Sequence, residues 1–347
     1  MHFVKDINDK MSTGFKLDKN TALIIGVALV LVIGGGALYY MTRPQPKEKL
    51  IVSTTTSLYE TGVLDVLKSS FEDGNTGYNV SFISQGTGLA IETAKRGDAD
   101  MILVHAPGQE WGFMQEGYGI NRKIFAYNFF IIVGPESDPA GIEGMDPLDA
   151  LLVIAEEGAD GNANWVSRGD NSGTHSKEKA LWSAAGLDLD ALKDEEAGDT
   201  GTPWYIEAGS GMTATLQLAN QKDAYTLTDV ATYLKNYQNE NIELVKLVDS
   251  GKETLNIYSS IVVDPRKNTD TKFEAAMEFT EFLVSEESQD ILVDYGANEF
   301  GSTLFNPWIP ELSNPDTRIR EWVQEDAYFE GSECPEEYRY ESGDLYP

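Results

Sequence analysis

The sequence predicts an α/β protein behind one N-terminal apolar helix, and three observations carry that expectation. Residues 49–53 form a short apolar strand that runs straight into Thr54, Thr55, Thr56 and Ser57. Residues 78–83, a Gly86-Thr87-Gly88 turn, a helical run over 89–96 and an apolar run over 98–104 make a strand, turn, helix and strand. Residues 21–41 are apolar without interruption. A βαβ order of this kind puts ligands beyond the carboxyl ends of the strands, where two of these strands carry hydroxyl-rich turns.

Taken in chain order, residues 21–41 read TALIIGVALVLVIGGGALYYM, long enough at roughly 20 residues to cross a hydrocarbon core as a helix. Lys5, Lys10, Lys16 and Lys19 precede the run, and Arg43, Lys47 and Lys49 follow it, so charge asymmetry is weak. A single N-terminal span leaves a short cytoplasmic head, residues 1–20, and exports the remainder. The expectation is a single-pass cell-membrane protein with an anchor at 21–41, a spacer at 42–49 and its binding domain on the extracytoplasmic side. A cleaved signal peptide is the rival, because Gly35 and Ala37 suit a processing site; Tyr39, Tyr40 and Met41 favour an interfacial helix end. No cysteine stands near the run, which excludes a lipoprotein anchor. The single cysteine, Cys334, allows no internal disulfide, so stability must come from a core.

The formal charge is -31 and the sequence pI about 4.3. That balance argues against nucleic acid as a partner, since phosphate backbones are bound by basic surfaces. It does not exclude a small anion: a local arginine and backbone amides act at contact distance, while remote carboxylates are screened within about 10 Å. A halophilic or very soluble exterior accounts for the acidity.

The densest chemistry lies at 167–175, Ser-Arg-Gly-Asp-Asn-Ser-Gly-Thr-His, opening a helical run over 177–185. Arg168 offers a forked pair of charge-assisted bonds, Ser172 and Thr174 each offer a hydroxyl proton, and the Gly173 amide lies at a helix start. These are the requirements of a desolvated tetrahedral anion. An ordinary Ser or Thr N-cap explains part of the stretch equally well, and the Arg-Gly-Asp triplet occurs by chance. A hydrolase reading of Ser172 and His175 lacks a Gly-x-Ser-x-Gly elbow. The 54–57 turn, ahead of a helix over 59–71 with Val63, Leu64, Val66, Leu67 and Phe71 on one face, is a second anion-type segment; alone it is also a capped turn.

Further along, residues 125–134 read as a long apolar strand, 257–263 as a strand returning the chain, and 271–284 and 287–295 as amphipathic helices. Gly211 and Thr213 precede a helical run at 214–220 and can supply amides, although a loop needing glycines is equally consistent. Thr226 lies on a strand over 225–229 and either lines a cleft or caps the next helix. His105, past a strand end without a His, Cys or carboxylate cluster, reads as a structural or supporting residue; no metal and no cofactor are expected.

The segments TTTSLYETGVLDVLKSSFE, GTGLAIETAKRGDADMILVHAP, YNFFIIVGP, WVSRGDNSGTHSKEKALW and AYTLTDVATY, in this order between residues 50 and 305, resemble the tungstate-binding proteins of the TupA type. These are solute receptors of ABC importers. The resemblance implies a two-lobed type II periplasmic-binding-protein fold with the oxyanion, tungstate or molybdate, in the interlobe cleft, a monomer delivering it to an ABC permease, and no enzyme activity. It implies a ligand set of Thr55, Thr56, Ser57, Thr87, Arg168, Ser172 and Thr174; Gly86, Asp170, Gly173, Gly211, Thr213 and Thr226 are expected in support. Lobe one is expected at 50–130 and 264–310, lobe two at 131–263, with hinges near 130–133 and 262–264. The Arg-x-Asp-x-Ser-Gly-Thr spacing is also similar to that of phosphate receptors, and a membrane-tethered oxyanion sensor is the alternative of another class. The resemblance does not cover the acidic, aromatic extension at 311–347, where 318–328 is expected to be a helix packed on lobe one.

Overall fold

β1 (Glu48–Thr55) buries Leu50 and Val52 completely and ends in the buried hydroxyls of Thr54 and Thr55. In a computed structural model of the 347-residue chain, the described residues are 47–74, 77–194, 196–197, 201–249, 251–301, 303–314 and 318–346. The apolar run at 21–41 therefore lies outside the described residues, among which no helix is long and apolar enough to cross a membrane.

Gly62, at φ +86°, breaks the expected 59–71 helix into α1 (Thr56–Glu60) and α2 (Val63–Gly74). β2 (Tyr78–Gln85) pairs in parallel with β1, α3 (Thr87–Lys95) crosses over, and β3 (Met101–Val104) pairs in parallel with the other edge of β1. The chain then forms α4 (Pro107–Gln115), which starts on a proline suited to a first helical turn, and β4 (Gly119–Gly134). The 16-residue β4 is the spine of the sheet.

A second group of elements follows: α5 (Pro147–Ala159), β5 (Trp165–Ser167), α6 (Gly173–Ala184), α7 (Leu189–Asp194), the short β6 (Glu196–Ala197) and β7 (Thr202–Pro203), β8 (Tyr205–Glu207), α8 (Met212–Gln221), β9 (Thr226–Asp229), α9 (Val230–Gln238) and β10 (Val245–Val248). β11 (Leu255–Val263), α10 (Phe273–Leu283), α11 (Glu286–Asp294), α12 (Ala297–Phe300), β12 (Asn306–Pro307), α13 (Ile309–Ser313) and α14 (Arg318–Ala327) complete the chain. The main sheet runs β10, β4, β11, β3, β1, β2, with β9 and β12 also on β4.

β4 divides along its length. Gly119 to Phe129 pairs with β11, whereas Phe130 to Gly134 pairs with β9 and β10. The cores divide at the same place. Leu64, Phe71, Val262 and Phe279 pack on one side of it and Tyr127 with Trp308 on another cluster of that half, while Phe130, Ile132, Trp165, Trp182 and Trp204 form a separate core. Residues 255–263, expected at the end of lobe two, belong by pairing and by core to the β1–β3 half. An apolar strand read alone does not reveal which neighbour it pairs with.

The extension wraps onto the β1–β3 half, and α14 buries Val323 and Ala327 against Ile124 and Tyr127. It also satisfies charges that β4 buries. Arg122 pairs with Glu110 at 2.8 Å and donates to the carbonyls of Ala327 and Glu333. The Glu333 carboxylate takes Lys123 Nζ and the Ile124 amide. Charges so placed are tolerated only when paired and hydrogen-bonded.

Candidate oxyanion-binding site

Arg168 leaves the end of β5, and Gly169, at φ +64°, turns the chain sharply after it; a Cβ there would also lie 2.9 Å from Glu207 Cβ. Asp170 then folds back. Its Oδ2 accepts from Arg168 Nε at 3.0 Å and its Oδ1 from the Ser172 amide at 3.1 Å, so both carboxylate oxygens are occupied. Arg168 is 1 % exposed. Its Nη2 donates to Thr56 Oγ1, joining the 168–175 stretch to the start of α1.

Ser172 is the N-cap of α6, its Oγ accepting from the His175 amide at 3.2 Å. The capping reading and the anion reading of Ser172 are thus compatible, because the hydroxyl proton is not used in the cap. Gly173 packs so closely on the His105 ring that a Cβ would lie 2.9 Å from Cε1. α3 starts at Gly86 without a side-chain cap, and a Cβ on Gly86 would come within 3.5 Å of Asp170 O. α8 likewise starts at an uncapped Gly211, 4.0 Å by the same measure from Thr56 Oγ1. Helix starts without side-chain caps, with their positive dipole ends, therefore lie against Asp170 and Thr56, the two residues bonded to Arg168.

Three buried donors of the expected ligand set find no hydrogen-bond partner among the described residues, Arg168 Nη1, Thr87 Oγ1 and Thr174 Oγ1, and His175 Nε2 of the same stretch is a fourth unmatched atom. An unmatched buried donor costs about 1–3 kcal/mol, so a cluster of them is a feature with a purpose. All three can donate, and Asp170, the carboxylate bonded to Arg168, is already used on both oxygens. A cavity of about 590 Å³ is lined by Gly173, His105, Gln109, Lys177, Asn256 and Glu325 among others. None of the three unmatched donors lines it, so the buried donor cluster and not the cavity is the candidate anion site. No group of His, Cys and carboxylates that could hold a metal occurs among the described residues.

The remaining expected residues are placed as follows. Thr55 Oγ1 caps α1 by accepting from the Leu58 amide and lies 3.3 Å from Ser57 Oγ, which is 3.2 Å from His105 Nε2. Thr213 Oγ1 donates to Glu60 Oε2 at 2.9 Å. Thr226 donates its hydroxyl proton to Val166 O at 2.7 Å, tying β9 to β5. Sequence reading missed Glu60, and it missed Gln109, whose Nε2 donates to Ser176 Oγ at 2.6 Å. Both are ordinary polar residues whose partners are remote in sequence.

His105 sits behind Ser57, stacked on Tyr258 and Phe130 with ring centroids 5.0 and 6.2 Å away. Burial pulls its pKa down to about 4, opposed by the Asn256 hydrogen bond and assisted by the Arg168 charge. Behind β5, Glu178 accepts from Trp165 Nε1, Ser167 Oγ, Trp182 Nε1 and Tyr205 OH, bracing the strand that presents Arg168.

This α/β fold with its buried donor cluster is that of a solute-binding protein, and the model of the PBP superfamily domain matches residues 42–287. The chain is 46% identical over 264 residues to a candidate ABC transporter anion-binding protein of Haloferax volcanii, covering 75% of this chain and 72% of that protein. It is 36% identical over 268 residues to the tungstate-binding protein TupA of Peptoclostridium acidaminophilum, covering 76% and 87% respectively. The crystal structure of the tungstate ABC transporter from Geobacter sulfurreducens superposes with a TM-score of 0.62 at 39% identity, over 72% of this chain and 99% of that one. The chain belongs to the TupA family.

Proposed function

We propose that the chain is an extracytoplasmic receptor that binds tungstate, with molybdate as its near equivalent, and hands it to an ABC permease. The observation that carries this reading is the cluster of unmatched buried donors, Arg168 Nη1, Thr87 Oγ1 and Thr174 Oγ1, beside a carboxylate whose oxygens are both taken. A fully ionised tetrahedral anion needs donors only, whereas phosphate near neutral pH still carries a proton and gains from a free acceptor. The relatives named for tungstate support the choice of anion.

In this reading residues 50–129 and 255–310 form one lobe and 130–254 the other. The anion lies between them, held by Thr56 and Thr87 from the first and Arg168, Ser172 and Thr174 from the second. Closure is then ligand-dependent. Residues 21–41 anchor a monomeric receptor to the membrane, with 1–20 in the cytoplasm.

Equilibrium dialysis of the full chain against tungstate tests the proposal. Uptake of one anion per chain is expected; no uptake at saturating tungstate would contradict it.

A further inference from the structure

A single line of hydrogen bonds runs from a backbone carbonyl into the 55–57 turn, and its polarity is set at the far end. Leu304 O can only accept, so Asn128 presents Nδ2 to it at 3.2 Å and turns Oδ1 the other way. Asn128 Oδ1 then receives Asn256 Nδ2 at 2.8 Å. That orientation fixes Asn256 Oδ1 toward His105 Nδ1, at 2.8 Å, and Nδ1 must carry a proton. Tyr258 OH fits the same sense, accepting from Asn256 Nδ2 and facing Asn128 Oδ1 at 3.3 Å.

The imidazole itself is neutral. It is 3 % exposed and stacked on Tyr258 and Phe130, and both ring nitrogens contact neutral side chains. The Arg168 charge and burial both disfavour a second proton. A neutral ring protonated at Nδ1 has a bare Nε2, which must accept from Ser57 Oγ at 3.2 Å. The Ser57 proton is then committed, so in the 3.3 Å contact with Thr55 the Thr55 hydroxyl is the donor. Thr56 differs: its Oγ1 accepts from Arg168 Nη2, and its own proton meets no acceptor among the described residues.

We propose that His105 is a positioning residue whose Nδ1–H tautomer takes the Ser57 hydroxyl proton, leaving Thr56 as the hydroxyl of the 55–57 turn that donates to the anion. Three adjacent hydroxyl residues are thereby sorted into two that hold the turn and one that meets the ligand. The line passes through Asn128 on β4 and Asn256 on β11, so the donor geometry of α1 is referenced to those strands. The tautomer follows from the hydrogen-bond geometry and the buried, neutral setting of the ring; the role of Thr56 rests on the receptor reading above.

The test is ring 15N NMR of the full chain carrying labelled histidine, which has three histidines, His2, His105 and His175, to distinguish. Without added anion at pH 7, His105 is expected as a single neutral tautomer protonated at Nδ1. A resonance pair showing Nε2–H, or an imidazolium, would overturn the proposal. His105→Gln assigns the signal and keeps one donor and one acceptor; should it fail to fold, Asn256→Ala serves, and it is expected to release the ring from its single tautomer. In tungstate titrations Thr56→Ala should lose at least about tenfold in affinity and Ser57→Ala only about threefold. Equal losses would overturn the sorting of the hydroxyls. A wild-type chain that takes up no tungstate would sink the receptor reading and leave the tautomer to be decided by the NMR result.

Discussion

Arg168 and Thr56, separated by 112 positions in the sequence, are hydrogen-bonded to each other, with the guanidinium donating to the threonine hydroxyl. The bond links the end of β5 in one half of the molecule to the start of α1 in the other. It leaves Nη1 of the same guanidinium buried and unmatched. Removing the side chain should strip the site of its cation and of the link at once. Arg168→Ala is expected to lower tungstate affinity by at least tenfold, about 1.4 kcal/mol. An unchanged dissociation constant in a folded variant, measured by calorimetry, would take Arg168 out of the site.

Asp170 holds Arg168 Nε from the side and the Ser172 amide from below. Asp170→Asn keeps the shape and removes the charge-assisted orientation, so tungstate binding should weaken about threefold to tenfold with no change in rank against phosphate. Selective loss of phosphate binding in a competition assay would instead mark Asp170 as a proton acceptor for the ligand.

His105 gives stability a defined pH dependence. Its folded pKa of about 4 lies below the ordinary value of 6.5, so the unfolded chain binds the proton more readily. Its contribution is therefore complete above about pH 6.5, falls as pH drops toward 4 and is level below that, with a size on the order of 3 kcal/mol. Urea unfolding of His105→Gln should show a flatter profile between pH 6.5 and 4 than the parent chain. Parallel profiles would count against a neutral, buried His105.

The compact part of the candidate site was legible because it is contiguous. Arg168, Ser172 and Thr174 lie within seven residues, and the helix that they open was visible from its periodicity, although it begins at Gly173 and not at 177. Thr87 was accessible through resemblance alone, since a Gly-Thr-Gly turn has too little local chemistry to name a ligand. The Arg168–Thr56 and Gln109–Ser176 contacts were not legible, because polar pairs on different elements leave no periodic trace. The pairing of Leu255–Val263 with β3 and β4 was hidden for the same reason: its hydrophobicity announces a buried strand and says nothing of the register. The sequence left Thr226 between lining a cleft and capping a helix, and its hydroxyl proton goes to Val166 O.

The extension beyond residue 310 has a measurable structural role. Glu333 receives Lys123 Nζ and the Ile124 amide in a buried setting. Glu333→Ala leaves a buried ammonium and an amide without partners, and should cost about 3–5 kcal/mol of stability in urea unfolding. A loss below about 1 kcal/mol would show that the extension is peripheral to folding.

The most direct measurement is calorimetric titration of the full chain with tungstate, molybdate, sulfate and phosphate at one pH near 7 and one ionic strength. A donor-only site built on Arg168, Thr56, Thr87 and Thr174 predicts tight, one-to-one binding of tungstate and molybdate, with phosphate weaker by at least about a hundredfold, roughly 2.7 kcal/mol. Preference for phosphate, or no heat with any of the four anions, would contradict the account.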